Sequence, residues 1–406
     1  MSIFRDGVAI IGAGIAGPAL ALALHEKNIP CRLYEKRSAA DADVLSSGVV
    51  ISPNGCKVLD ELHILERISS RSYRAETTVI KNDENETVRK VEVAPERLYG
   101  YKYHRLYRLI LLQEMKTMME QKNIPVIYGA KFESIVSDTE EGVEFIVNGR
   151  VERAAILIGA DGIHSSVREH VTDQIPQYTG LVCVYGHIPT SSVEWPDDDF
   201  KTGCTIQGKG DAIFMVPETA DGSDLMVGIQ LKHELRDRAQ WDSIASDNTQ
   251  LTALIRQSHG LWNGVGKTLI DQLCKQDKLL CWPYFLMPKL PSWSSATGRV
   301  TIIADAAHAM PASSGQGVNQ ALEDVYSLAR VLARADGSSK DLPRDLGIWH
   351  AWRQQKLDAV IQMMNMTNQL RTAQGDKACP ATTPQALVQW INGLHLEELD
   401  ALLNAP

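Results

Sequence analysis

Three glycines near the N terminus have the spacing G-x-G-x-x-G, which suits the binding of a dinucleotide pyrophosphate. Gly12, Gly14 and Gly17 follow a short apolar run, Val8–Ile11, with the composition of a buried parallel strand. The first glycine permits a tight turn, the second admits the phosphates, and the third lets a helix lie close to the strand. The helix N terminus then offers free N–H groups and the positive end of its dipole.

Glu35 supplies the acidic group that a ribose diol needs as a hydrogen-bond acceptor. It ends the second predicted strand, 23 residues after Gly12, and Arg37 follows two residues later. Arg37 either contacts phosphates or is an exposed cation. The glycines alone would fit any tight strand–helix turn, but strand, helix and Glu35 in register predict a dinucleotide site. The motif does not distinguish FAD from NAD(P).

A later segment, residues 301–324, resembles a signature of one flavoprotein family. It reads T-I-I-A-D-A-A-H-A-M-P-A-S-S-G-Q-G-V-N-Q-A-L-E-D. This is similar to the G-D-A-A-H-x-x-P-P-x-x-G-Q-G-x-N motif of the class A, aromatic-hydroxylase type of FAD monooxygenase, the p-hydroxybenzoate and salicylate hydroxylase group. The segment Gly159–Arg168 is similar to the D-G motif of that family, and Arg108-x-x-Leu111-x-x-x-Met115 matches a third feature. The resemblance covers residues 8 to about 370, in the order of the family.

The resemblance implies that the later segment holds the flavin end of FAD. Asp305, after a buried strand, accepts hydrogen bonds from the ribityl hydroxyls, although a helix N-cap is the alternative role for such a residue. Gly315 and Gly317 open a helix, and Val318 and Asn319 lie on its first turn, where backbone N–H groups are free. The dipole of that helix stabilises the negative charge that develops at N1 and O2 of the reduced flavin.

The same resemblance assigns further contacts with the cofactor. Arg108 neutralises part of the FAD phosphate charge or binds near the adenosine. Arg105 is a competing candidate, and a surface helix arginine is the alternative interpretation of Arg108. Gly48 is the glycine at which the backbone passes the cofactor, and Asp161 lies near both FAD and the nicotinamide coenzyme. We interpret His308 as a structural histidine.

The sequence departs from the family motifs at three places. Ala304 stands where the motif has glycine, and Ala312 replaces the second proline, which loosens the loop over the flavin. Many relatives have an arginine at the start of a substrate-domain strand, where this chain has Tyr185-Gly186-His187. An acidic aromatic substrate held by that arginine is therefore in doubt. Tyr185 and His187 are candidates for a catalytic base, and the alternative for each is a cavity wall or core residue.

The activity that the resemblance implies is insertion of one oxygen atom from O₂ through a C4a-hydroperoxyflavin, with NAD(P)H as reductant. The sequence contains no second G-x-G-x-x-G, as in single-component enzymes of the group. Apolar and aromatic residues in 183–188, 204–216, 225–231 and 282–285 predict a cavity for a hydrophobic aromatic, polyketide or alkaloid substrate. The alternatives are an FAD oxidoreductase of the same fold without oxygen insertion and a non-catalytic flavin-binding protein.

The predicted elements give an α/β fold that positions these motifs. A Rossmann-type (GR2) FAD-binding domain takes residues 1–177, and an inserted, mainly antiparallel β-sheet domain for the substrate takes 178–285. Residues 286–346 return to the FAD-binding domain, and 347–406 form C-terminal helices. Within these limits we expect a helix over 54–68, a long helix over 347–371 and short helices within 383–406.

Composition limits the remaining classes of function. The 406 residues include 41 basic and 50 acidic side chains, a net charge of −9, which gives no electrostatic reason to bind nucleic acid or an anionic membrane. No apolar run is long enough to cross a membrane, and no obligate protein partner is evident. The seven scattered cysteines form no metal-binding pattern, so we expect no metal site, reduced thiols and a cytoplasmic location.

Overall fold

Short runs of β-branched and aliphatic residues form a parallel sheet buried on both faces. The computed structural model describes residues 4–41, 47–208, 212–335, 341–372 and 385–405. Val8–Ile11 and Ile156–Gly159 are buried along their whole length, as expected for central strands covered by helices on both sides. The sheet has five parallel strands in the order β18-β12-β1-β2-β8. This α/β arrangement is the predicted fold class.

Eighteen strands lie in the described part of the chain, in four sheets. In chain order they are β1 Val8–Ile11, β2 Cys31–Glu35, β3 Gly48–Ile51, β4 Tyr73–Ala75, β5 Thr77–Asn82, β6 Thr87–Glu92, β7 Tyr103–Tyr107, β8 Val126–Tyr128, β9 Phe132–Thr139, β10 Gly142–Val147, β11 Arg150–Ala154, β12 Ile156–Gly159, β13 Gln177–Pro189, β14 Cys204–Gln207, β15 Ala212–Pro217, β16 Asp224–Lys232, β17 Leu280–Leu286 and β18 Val300–Ile302.

Fourteen α-helices accompany the strands in the same described ranges. They are α1 Ala16–Glu26, α2 Pro53–Glu61, α3 Leu65–Ser69, α4 Glu96–Tyr99, α5 Arg108–Gln121, α6 Arg168–Val171, α7 Arg238–Ser246, α8 Asn248–Gln257, α9 Gly264–Leu273, α10 Asp305–His308, α11 Gly317–Ala335, α12 Leu342–Thr372, α13 Gln385–Asn392 and α14 Leu396–Leu403.

The largest sheet is mainly antiparallel and has seven strands in the order β17-β13-β16-β15-β14-β5-β6. One face packs against α7, α8 and α9 in a separate apolar core. Five of its strands come from the segment predicted to bind substrate, but β5 and β6 precede that segment, and β14 pairs with β5 in parallel. The sheet therefore extends beyond residues 178–285, and the division of the chain at 178 stays a prediction.

Two three-stranded sheets complete the fold. Strands β9, β10 and β11 form an antiparallel meander, with turns after Thr139 and Val147. Strands β3, β7 and β4 form a second small sheet, in which Gly48 pairs with Tyr107. Arg105 lies in β7 of this second sheet and contacts Glu218, which follows β15 of the large sheet. Arg108 comes directly after β7 and lies near Gly14 of the glycine loop.

The single helix predicted over residues 54–68 is wrong, because the structure has two helices there. Helix α2 ends at Glu61 and α3 starts at Leu65. Between them His63 has φ 58°, and the N–H of Ile64 donates to the carbonyl of Leu59 at 2.7 Å, as in a Schellman helix end. The break lets residues on both sides of His63 remain in the core.

The C-terminal part is helical as predicted, with wider bounds for its long helix. Helix α12 runs from Leu342 to Thr372, and α13 and α14 lie within the expected 383–406, of which residues 383, 384 and 406 are outside the described part. No described helix is long and apolar enough to span a bilayer. The described cysteines are free thiols, and Cys379 lies outside the described residues. Within the same ranges, no His, Cys, Asp and Glu side chains gather into a metal-binding group.

Candidate FAD and substrate site

The glycine loop lies between β1, β12 and α1, and two of its glycines are required by packing. Gly12 has φ +104°, and a Cβ placed on it would lie 2.6 Å from the carbonyl oxygen of Ala160. A Cβ on Gly17 would lie 2.0 Å from the carbonyl oxygen of Gly12. Gly14 differs, because the only atom near its hypothetical Cβ is Nη2 of Arg108, at 3.4 Å. The loop is therefore closed toward the sheet and open toward Arg108.

Glu35 is buried at the end of β2 and connects that strand to the loop. Its Oε2 accepts a hydrogen bond from the Ala13 N–H at 2.8 Å, and its Oε1 accepts from the backbone N–H and the Nε of Arg37, both at 2.9 Å. Burial alone would raise the pKa of Glu35, but these hydrogen bonds hold that pKa below its ordinary value. Glu35 is thus an ionised acceptor beside the glycine loop, whereas Arg37 is exposed.

Arg108 begins α5 and directs a largely desolvated guanidinium toward the loop. Its Nε is buried without a hydrogen-bond partner. Desolvation lowers the pKa of Arg108, Asp305 opposes that shift, and Arg37 and Tyr185 are also close enough to affect it. The structure therefore brings together cofactor candidates that are far apart in sequence. A buried cation with an unused donor is suited to a phosphate or another anionic acceptor.

Asp305 opens α10 at the C-terminal edge of the parallel sheet. Its side chain is accessible to solvent, yet protein surrounds it on most sides, as at the bottom of a cleft. Desolvation raises the pKa of Asp305, although His308 and Arg108 favour its ionised form. A carboxylate so placed gains stability from hydroxyl donors, which is the role predicted for it toward the ribityl chain.

Ala304 holds a backbone conformation that favours glycine. It has φ 56° and ψ −138°, a region that side chains disfavour by about 1–3 kcal/mol. Its N–H donates to Oδ2 of Asp324 at 2.9 Å. The alanine conformation is therefore strained, and the bond to Asp324 helps to hold it.

The helix predicted to face the flavin begins at Gly317, as α11. Gly315 has φ +62°, and hypothetical Cβ atoms on Gly315 and Gly317 would meet no atom within 4 Å. Beside this open end Asn319 is buried: its Nδ2 donates to the carbonyls of Gly315 at 3.0 Å and Val50 at 3.2 Å. The side chain of Asn319 thus ties the helix start to β3, and only its backbone N–H remains suited to the predicted flavin contact.

Behind α11 lies a buried ionic network that the sequence analysis did not identify. Arg353 of α12 donates to Glu323 and Asp324, each at 2.8 Å, and all three side chains are fully buried. His308 Nε2 lies 2.5 Å from Oδ2 of Asp324 and packs on Trp293, which agrees with its interpretation as a structural histidine. The available signal was the pair of adjacent acidic residues between the apolar Leu322 and Val325.

Asp161 follows β12 and holds the loop that carries the D-G motif. Its Oδ2 accepts from the N–H of Ser166 at 2.8 Å, while its Oδ1 is buried without a partner. Desolvation raises the pKa of Asp161, and hydrogen bonds within the loop counteract the shift. Arg168 in the same loop donates to the carbonyls of Ala306 and Ile163, so the loop is fastened to α10.

The structure separates the two competing arginines. Arg105 is buried against Glu218, with its Nε 3.1 Å from Oε2, whereas Arg108 faces the glycine loop. Gly48 lies against the same carboxylate: a Cβ on Gly48 would be 1.8 Å from Oε2 of Glu218. The absence of a side chain at Gly48 thus makes room for an ion pair, and its predicted approach to the cofactor stays a prediction.

Tyr185 and His187 lie on the same face of β13, next to this ion pair. Burial, as the largest effect, raises the pKa of Tyr185 to about 12, so its phenol is poorly suited to accept a proton near neutral pH. The ring of His187 packs on Tyr107, and its Nε2 is 3.6 Å from Oε1 of Glu218. Tyr185 is a buried member of the apolar cluster on this face, while His187 keeps an acidic neighbour.

Only alternate residues of the predicted cavity segments face the nucleotide side. Val184 and Val227 point to the opposite face and pack on the helices, as do Cys204 and Ile206 of β14. Residues 209–211, which the prediction included, lie outside the described part of the chain. The face toward the nucleotide side is an apolar cluster with the members Cys183, Tyr185, Met226 and Tyr284, flanked by Leu181, Phe214, Val216 and Leu280.

The groups around the glycine loop fit FAD. They comprise an ionised, buried carboxylate, a desolvated arginine with an unused donor, an accessible aspartate and an open helix N terminus. They come from both ends of the α/β unit, as a long dinucleotide requires. The fold and site together define the class of flavin-dependent oxidoreductases.

Comparisons with known proteins agree with this class. A family model described as an FAD binding domain matches residues 6–342. Curated relatives include 3-amino-4-hydroxybenzoate 2-monooxygenase PtmB3 of Streptomyces platensis, 28% identical with 82% of this chain and 81% of the relative covered. Another is 6-hydroxynicotinate 3-monooxygenase of Pseudomonas fluorescens, 24% identical with 92% and 94% covered. The chain belongs to the FAD binding domain family, and its resemblance to class A flavin hydroxylases is confirmed.

Solved structures show the same fold at low sequence identity. CtdE in complex with FAD and a substrate superimposes with a TM-score of 0.80 at 20% identity, covering 98% of this chain and 99% of that one. HpxO of Klebsiella pneumoniae in complex with FAD and uric acid gives 0.75 at 20% identity, covering 100% and 98%. The predicted Rossmann-type architecture with a mixed sheet and additional helices is therefore confirmed.

Proposed function

We propose that the protein is a single-component FAD monooxygenase that takes two electrons from NAD(P)H and inserts one oxygen atom of O₂ into a hydrophobic substrate. The names of the curated relatives support oxygen insertion. When bound, FAD supplies the redox chemistry, through the hydroperoxyflavin route that the family resemblance implies. The overall reaction converts substrate, O₂, NAD(P)H and a proton to oxygenated substrate, NAD(P)⁺ and water.

One observation carries this proposal: Arg108 lies at the open side of the glycine loop, and Asp305 is close enough to Arg108 to affect its pKa. In the proposed complex, Glu35 accepts from the ribose and Arg108 donates toward the phosphates. Asp305 accepts from the ribityl hydroxyls, and the N–H groups at the start of α11 face the flavin ring. The field of α11 favours negative charge on the reduced ring, which is where a flavin hydroxylase needs it.

Cations beside the D-G loop support the proposal that NAD(P)H is the reductant. Burial lowers the pKa of His164, and the positive charges of Arg238, Arg168 and Lys36 lower it further, so these groups lie close together. Lys36 and His164 are exposed, and Arg238 keeps 63% of its side-chain surface accessible. We propose that this cationic group attracts the phosphates of NAD(P)H toward the flavin.

Oxygen labelling tests the proposed reaction against a hydride-transferring oxidoreductase of the same fold. We expect turnover under ¹⁸O₂ with NADPH to give a product containing one ¹⁸O atom, and a label-free product would reject oxygen insertion. Anaerobic NADPH should also bleach the bound flavin. A flavin that stays oxidised with NADPH and with NADH, in the presence of compounds that bind the cavity, would favour a non-catalytic flavin-binding protein.

A further inference from the structure

The face of the seven-stranded sheet that looks toward the nucleotide side is apolar at one end and charged at the other. At the apolar end, Cys183, Tyr185 and Tyr284 form a small core with Met226. Tyr185 links this face to the nucleotide side, because it affects both Arg108 and Arg105 electrostatically. A substrate between the flavin position and this face would therefore contact both ends.

The charged end contains an arginine that is already neutralised. Arg105 donates from Nε to one oxygen of Glu218, at 3.1 Å, and from Nη2 to the other, at 2.5 Å, and its Nη2 also lies 3.2 Å from the Met226 sulfur. Both side chains are buried, with at most 7% of their surface accessible. A two-point ion pair of this kind leaves little of the guanidinium charge for a ligand.

The carboxylate of Glu218 is fixed from three sides. The missing side chain of Gly48 leaves space for this carboxylate, Arg105 donates to both of its oxygens, and His187 lies near one of them. Although burial alone would raise it, the pKa of Glu218 lies below its ordinary value, chiefly because of Arg105. Glu218 is therefore ionised near neutral pH, and its negative charge neutralises the positive charge of Arg105.

A second carboxylate lies at the same end. Asp224 begins β16 and accepts a hydrogen bond from the hydroxyl of Tyr107. The described lysine of this strand, Lys232, is exposed at its opposite end, paired with Leu181 rather than with the charged cluster. The charged end therefore holds two carboxylates against one arginine, with the imidazole of His187 beside them.

We infer that the substrate site selects aromatic compounds without a carboxylate. This inference rests on the proposed function, and it separates the chain from relatives that are named for acids such as 3-amino-4-hydroxybenzoate. At the charged end, a carboxylate on the substrate would lose its hydration, meet an arginine that is already paired and face two fixed carboxylates. An uncharged amide or hydroxyl group avoids these costs and can hydrogen-bond to the same groups.

Matched pairs of small aromatic probes test this inference on the FAD-loaded protein. The pairs are salicylamide and salicylate, indole-2-carboxamide and indole-2-carboxylate, and the carboxamide and carboxylate of anthracene. Binding is measured by perturbation of the visible flavin spectrum, and turnover by stimulation of NADPH oxidation. We expect at least one amide to bind, and to bind at least tenfold more tightly than its acid. Equal or tighter binding of the acid, or no binding by any amide, would overturn the inference.

Two variants examine the cause of the selectivity. Glu218→Gln frees the guanidinium of Arg105, so the acids should gain at least tenfold in affinity relative to the amides. The double variant Arg105→Gln/Glu218→Gln removes both charges and should return toward the preference for amides. If Glu218→Gln does not fold, the wild-type comparison alone decides the outcome. A protein that binds no FAD would defeat the proposed function, whereas a flavoprotein that prefers the acids would defeat only this inference.

Discussion

The carboxylate of Glu35 accepts a hydrogen bond from the backbone N–H of Ala13 at 2.8 Å. This bond joins the end of the second strand to the glycine loop, although 22 residues separate the two positions. The carboxylate predicted to accept from the ribose is therefore positioned by the polypeptide itself. It keeps about one unused acceptor position, because a carboxylate can accept about four hydrogen bonds and Glu35 accepts three from the protein.

Replacing Glu35 should weaken FAD binding without unfolding the protein. Glu35→Gln keeps the size of the side chain but removes the charge, and hydrogen bonds to a charged group are worth about 1.5–3 kcal/mol. We expect FAD to bind at least about tenfold more weakly, as measured by fluorescence titration of the apoprotein. The exposed Glu141→Gln is the matched control. An unchanged affinity in Glu35→Gln would remove Glu35 from the site.

The strained Ala304 predicts a stabilising substitution. Ala304→Gly relieves a conformation that costs about 1–3 kcal/mol, against a loss of about 1 kcal/mol in chain entropy. We expect the free energy of unfolding in urea to rise by up to about 2 kcal/mol. Ala309→Gly, at a buried residue with φ −46°, should instead destabilise the protein. A loss of stability in Ala304→Gly would show that the alanine conformation is not strained.

Asp305 should show opposing effects on stability and on FAD binding. Its pKa is raised in the folded apoprotein, so its ionised form opposes folding at neutral pH. Asp305→Asn should therefore stabilise the apoprotein at pH 7. The gain should shrink as the pH falls through the raised pKa toward the ordinary value of 3.8.

The same Asp305→Asn protein should bind FAD at least about tenfold more weakly, because it lacks the charged acceptor for ribityl hydroxyls. Thermal unfolding of the apoprotein across this pH range, together with FAD titration, measures both effects. Stabilisation that is independent of pH would contradict the assigned titration, and unchanged FAD affinity would contradict the assigned contact.

The cations beside the D-G loop should affect the coenzyme and not FAD. Arg238→Ala removes one exposed charge worth about 1 kcal/mol, so KM for NADPH should rise about fivefold. The effect should diminish at high salt. Flavin content should stay equal to that of wild type and of the control Lys57→Ala, also at an exposed position. A KM that does not change, or FAD lost on purification, would argue against a coenzyme surface here.

The part of the site that the sequence predicted is the part encoded by short motifs. Strand, glycine loop, helix and Glu35 are contiguous, so their geometry follows from local packing and from the hydrogen bonds of one βαβ unit. Asp305 and the start of α11 lie in one segment with a family signature. In the structure Gly14 and Asp305 both lie near Arg108, and Glu35 hydrogen-bonds to the loop that carries Gly14.

The rest of the site depends on contacts between segments that are distant in sequence and contain no motif. Arg105 and Glu218 are 113 residues apart, and their ion pair depends on a sheet that also recruits β5 and β6 from the N-terminal half. The ion pair of Arg353 with Asp324 likewise joins two helices across the core. For each of these residues, the neighbouring sequence does not predict which residue it will contact.

FAD uptake by the purified apoprotein tests most directly whether these distant groups form one nucleotide site. We predict a yellow 1:1 complex for the wild-type chain and little or no uptake by Glu35→Ala/Asp305→Ala, with both proteins folded by circular dichroism. A folded wild-type protein that remains colourless in excess FAD, or a double variant that binds FAD as tightly as wild type, would contradict the account.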